Sequence, residues 1–163
     1  MAFQISALNV DHFSHLFGKD SDTLAKFGVE RVIADTVPGY PCRVSLLDAE
    51  VGEPVLLMNY EHQSASSPYR SSHAIFVREW ADEARLDEGE IPKLLRQRLL
   101  SVRAFDDSGM MLDADIVDGQ QLEGLLQRML ANDAVEYLHL HNAQRGCYVA
   151  RVDRVNRGRT ELS

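Results

Sequence analysis

CRVSLLDAEVGEPVLLMNYEHQSASSPYRSSHAIFV, residues 42–77, is the stretch whose reading decides the fold. CRVSLL (42–47), VLLMNY (55–60) and HAIFV (73–77) are short, mostly apolar runs divided by turn-forming residues, which reads as three strands. Gly52 supplies the first turn, and Pro54 stands at a strand start, where its missing N–H costs least. VLLM is apolar at every position, so both of its faces are expected to be covered, as in the central strand of a sheet.

Upstream of this block, FQISAL reads as a strand, and Asp11 as the cap of a short helix carrying Phe13, Leu16 and Phe17 on one side. Gly18 to Lys26 is polar and reads as loop. VERVIAD is a further strand, stopped by the turn residues PGYP. Downstream, Ile91, Leu94, Leu95 and Leu99 recur at helical spacing, with Pro92 acceptable in the first turn. LLSVRAFDDSGMMLDADIV reads as a hairpin turning at Asp107-Ser108-Gly109. The clearest helix follows, with Asp118 as N-cap, Gln121 in the capping-box position, and Leu122, Leu125, Leu126, Met129 and Leu130 on one stripe. VEYLHLHNAQRGCYVARVDRV (135–155) reads as a closing hairpin with its turn between Asn142 and Gly146. Strands outnumber helices and do not alternate with them regularly. The expected class is α+β, a mostly antiparallel sheet with two or three helices packed on it.

With 163 residues, no repeat and no Gly/Ser linker, the chain reads as a single domain over 1–163, with 156–163 a flexible polar tail. A net charge of −8 argues against nucleic acid as a partner, because phosphate binding needs a concentrated Lys/Arg face. The basic residues Arg151, Arg154, Arg157 and Arg159 are interrupted by Asp153 and read as a solvated tail. MAFQISALNV has neither a basic start nor a long apolar run, and no stretch approaches the ~20 apolar residues of a membrane helix. No membrane partner is therefore expected. Cys42 and Cys147 are too few for a disulfide framework, and reduced thiols in a cytoplasm fit them better.

Two regions carry chemistry. In SPYRSSHAIFVRE (67–79), Tyr69, Arg70, Ser71, Ser72 and His73 place a phenol, an anion-binding fork, two hydroxyls and an imidazole within five positions. His62 ends the preceding strand, so a hairpin would put His62 and His73 at the same end of the sheet. Tyr69, Arg70 and Ser72 are the expected ligand-binding residues, with His73 and His62 as acid/base groups. Ser72 and His73 are adjacent, so an extended chain points them to opposite sides and they form no nucleophile–base pair. The plainer alternative is a serine-rich turn whose hydroxyls satisfy their own backbone.

The second region is the closing hairpin. Alternation sets Leu138 and Leu140 on one face, and Tyr137, His139 and His141 on the other. A loop over 142–146 would pair His141 with Cys147 and His139 with Val149. His139, His141 and Cys147 would then be candidates for a zinc or iron site. NAQRGCYVAR supplies no carboxylate at a useful offset, however, so the expectation is no metal and no cofactor. The contrary reading leaves the histidines on the wetter face and packs Cys147 as a small hydrophobe. Neither cysteine shows a helix-capped nucleophile motif, and a P-loop and a dinucleotide fingerprint are absent.

PGYPCRVSLLDAEVGEPVLLMNYEHQ (38–63), SPYRSSHAIFVRE and HNAQRGCYVARVDRV (141–155) together resemble a bacterial family, domain of unknown function 1203, from about Val29 onward. The resemblance implies a bacterial, cytosolic, single-domain protein and brings no catalytic residue or activity to these positions. Three readings stay open. The first is a domain binding a small anionic ligand at the sheet end near 62–73. The second is a hydrolase- or transferase-type enzyme using His73 or His62, and the third is a homodimeric interaction module without a ligand site.

Overall fold

The structure, a computed structural model, describes residues 2–155. The tail expected at 156–163 lies outside the described residues. Two antiparallel sheets and three short helices make up the fold. The first sheet contains β1 (Phe3–Ser6), β5 (Leu99–Phe105), β6 (Met111–Asp118), β7 (Tyr137–Asn142) and β8 (Tyr148–Arg154) in the order β1-β8-β7-β5-β6. The second contains β2 (Glu30–Ile33), β3 (Pro54–Gln63) and β4 (Ser71–Arg78), with β3 in the centre, as its unbroken VLLM run requires. No helix among the described residues is long and apolar enough to cross a membrane.

Each sheet buries one main apolar set. Leu100, Val102, Ala104, Leu138, Leu140 and Val152 of the larger sheet pack with Leu122, Leu125, Leu126, Met129 and Leu130 of α3 (Leu122–Leu130). The leucine stripe at helical spacing is thus the helix's core face. On the smaller sheet, Leu56, Met58, Ile75 and Val77 pack with Phe13, Leu16, Phe17 and Leu24. The opposite face of the larger sheet, which carries His139 and His141, is left for the end of the smaller sheet to cover. Gln63 at the end of β3 is buried and donates to the Tyr137 hydroxyl on β7 at 2.9 Å.

Several local expectations are corrected. CRVSLL is not a strand. Cys42 N–H donates to Leu47 O and Leu46 N–H to Cys42 O, so the segment closes on itself, with isolated bridges only at Pro41 and Cys42. Leu46 has φ 52, outside the strand region, and is buried. Two 3₁₀ turns, Val10–His12 and Ser14–Leu16, replace the first helix, and Asn9 rather than Asp11 caps the first of them. The supposed loop at 18–26 contains α1 (Ser21–Lys26), whose cap is the Asp20 carboxylate accepting from Thr23 N–H at 2.8 Å. The helix around Leu94 is the single turn α2 (Lys93–Arg96), and Leu99 already belongs to β5. Asp118 caps a 3₁₀ turn, Gly119–Gln121, that leads into α3.

Candidate metal centre

Two bulges build the site. In the β3–β4 hairpin, Tyr60 pairs with His73 and Glu61 with Ser72, and the register then shifts so that Gln63 pairs with Ser71. His62 is the unpaired residue at that shift. A bulge bends its strand and re-aims the extra side chain, and this one turns His62 toward the larger sheet. In the β7–β8 hairpin the register shifts between Leu140 and His141, so His141 faces Tyr148 and His139 faces Arg151. The pairings expected with Cys147 and Val149 are therefore incorrect. The loop is one residue shorter than expected, since Asn142 N–H donates to Cys147 O and sets His141 opposite Tyr148, and the extra residue Val149 moves His139 one place further.

The result is a cluster of three imidazoles. One ligand-competent nitrogen from each of His62, His139 and His141 lies within 4.8 Å of the other two. Among the described residues this is the one such grouping of three or more His, Cys, Asp or Glu side chains. The His62 and His141 rings meet edge to face at 5.0 Å between centroids, and His62 stacks on Tyr148 at 5.5 Å. Tyr148 is itself buried and meets His139 and His141 edge-on, so its ring fixes the position of all three imidazoles.

His139 and His141 are 4% and 1% exposed, which contradicts the wetter-face reading, and His62 is half-buried. Burial, with repulsion from Arg103 and then His73, holds His62 at a pKa of about 4. His139 and His141 are held at about 3, by burial first and then by repulsion from neighbouring imidazoles and arginines. All three are therefore neutral near pH 7 and keep a lone pair for a metal ion. The tautomer of His141 is set by its neighbour. Its Nδ1 lies 2.9 Å from Gly146 O, which can only accept, so Nδ1 carries the proton and Nε2 the lone pair. Nδ1 of His62 and Nδ1 of His139 are buried without a hydrogen-bond partner, which a ligand bond would satisfy. Two nitrogens on one tetrahedral zinc sit about 3.3 Å apart, so the widest gap must narrow by about 1.5 Å when a metal binds.

Of His139, His141 and Cys147, the first two belong to the cluster. Cys147 does not. It is buried, and its Sγ accepts from Asn142 Nδ2 at 3.3 Å. His62 takes the third place. Arg43 is 1% exposed and has no carboxylate partner among the described residues; it donates to the Tyr148 and Pro41 carbonyls. It thereby ties the 42–47 segment to β8 directly beneath the site.

The expected loop site is arranged differently. His73 is beside His62 in the hairpin and half-buried, with Nδ1 3.1 Å from Ala74 O. Arg70 is exposed and pairs with Glu61 at 3.1 Å, while Tyr69 and Ser72 are exposed. Ser67 accepts from Tyr69 N–H and donates to Gly109 O, and Ser71 donates to Tyr69 O, so these hydroxyls serve the backbone. No hydrogen bond or ring contact joins Tyr69, Arg70 or Ser72 to His62. Two surface clefts of about 370 and 380 Å³ lie elsewhere, one beside Arg78 and Trp80, the other beside Val29 and Met58.

The family described as "Protein of unknown function (DUF1203)" has a sequence model that matches residues 39–154. The chain belongs to that family. No curated protein and no solved structure matches it significantly.

Proposed function

We propose that this member of the family holds one divalent transition metal, zinc in the first instance, on His62, His139 and His141. The observation that carries the reading is the convergence of three neutral imidazoles from two different sheets, one with its tautomer already fixed. Three protein ligands leave a fourth position for water or a small ligand, the pattern of a catalytic rather than a structural zinc. Such an ion supplies Lewis acidity and lowers the pKa of bound water. Tyr148 holds the rings in place, and Phe105 and Tyr137 pack on His139 to exclude water from the buried side. His73, beside the site but outside the ligand set, is placed to move a proton at its exposed edge.

Equilibrium dialysis of purified protein against zinc, with metal content measured by mass spectrometry, tests this directly. One zinc per chain is expected, lost in His139→Ala and in His62→Ala but retained in His73→Ala and Arg70→Ala. Equal zinc uptake by the wild type and the two triad variants would refute it.

A further inference from the structure

Arg103 lies on β5 directly opposite His139 of β7, and Ser101 lies opposite His141. Directly paired residues of neighbouring strands share a sheet face, so the Arg103 guanidinium stands on the same face as the triad. It is half-buried, and its only hydrogen-bond partner among the described residues is the Ser101 hydroxyl, which accepts from Nε at 3.3 Å. Its positive charge opposes protonation of all three histidines, which independently places it beside them.

No carboxylate among the described residues answers this charge. Arg31, Arg70, Arg78, Arg98 and Arg128 each meet an acid, and Arg151, the nearest in register, is held by Asp153 at 3.0 Å and covers the Tyr137 ring. A divalent ion on three neutral ligands next to an unpaired guanidinium leaves the site strongly positive. A partly buried unpaired cation is unfavourable unless an anion joins it.

We propose that the centre binds a small oxyanion, a carboxylate or a phosphate, with one oxygen on the metal and the others on the Arg103 fork. This rests on the three-histidine metal reading and names its ligand class. The guanidinium presents parallel N–H donors that match either group. The group recognised is a free small anion or the anionic terminus of a larger molecule.

Cobalt(II) loaded in place of zinc reports ligand binding through its visible absorption, and acetate and inorganic phosphate are the probes. Both are expected to change the wild-type spectrum saturably, and the tighter of the two identifies the preferred head group. Arg103→Met keeps the buried stem and loses the fork. It is expected to bind one cobalt per chain and to weaken the oxyanion by about ten- to a hundredfold. Arg103→Lys is expected to fall between them. Unchanged oxyanion affinity in metal-loaded Arg103→Met overturns the inference alone, as does a wild-type spectrum that neither anion alters. A wild type that takes up no metal overturns the three-histidine reading, and the inference with it.

Discussion

Acidification of the metal-free protein puts the neutrality of the triad to a quantitative test. In the unfolded chain a histidine titrates near 6.5, whereas His62 is held at about 4 and His139 and His141 at about 3. Below the unfolded value the unfolded state binds more protons than the folded one. Stability is therefore fully present above about pH 6.5 and is lost as pH falls toward the folded values. At about pH 5 an unfolded histidine is almost fully protonated while its buried counterpart is not, a difference of about 2 kcal/mol per ring. His62, being half-buried and screened, contributes less, so the three together amount to about 5 kcal/mol. That compares with a whole-domain stability of about 5–15 kcal/mol, so the metal-free protein is expected to be near unfolding at that pH. Urea titrations followed by far-ultraviolet circular dichroism at several pH values give the slope. His139→Phe, placed among Phe105, Tyr137 and Tyr148, should remove about one proton from it. Stability that stays level between pH 7.5 and about pH 5 would refute the argument, since it would mean that the rings take up protons in the folded state.

Other expectations concern the frame around the site. A Cβ on Gly119 would stand 1.9 Å from Leu95 O, a backbone atom, so Gly119→Ala should destabilise by about 3 kcal/mol or more in thermal unfolding. Gly124 meets nothing within 4 Å on the exposed side of α3, and Gly124→Ala should stabilise by about 0.5–1 kcal/mol. Arg43→Ala strips donors from the Pro41 and Tyr148 carbonyls and leaves a void between the sheets. A loss of about 3 kcal/mol is expected, a fall of roughly 6–12 °C in melting temperature, checked by calorimetry.

What was legible in the sequence follows from which forces act locally. The α3 stripe and the hairpins at β5–β6 and β7–β8 are periodic, and periodicity reports a buried face whatever that face packs against. CRVSLL misleads because Val44 and Leu46 are buried by tertiary packing of a turn, and burial alone does not require a ladder. α1 escapes notice because Leu24 is its only buried residue, too little for a stripe. At the site, the H-x-H pair on β7 is visible from alternation. Its completion is not, because local spacing offers Cys147 as the third group and no carboxylate beside it. The structure brings His62 from another sheet, through a bulge and an inter-sheet contact at Gln63 that no local pattern encodes. The cluster of reactive side chains at 69–73 was conspicuous for composition, yet its arginine is engaged by Glu61 on the surface.

X-ray absorption at the zinc edge of the metal-loaded protein tests the central claim most directly. The account predicts three imidazole nitrogens and one oxygen at about 2.0–2.1 Å, with no sulfur ligand. A shell containing sulfur at about 2.3 Å would place the metal on Cys147 or Cys42 instead and contradict the three-histidine centre.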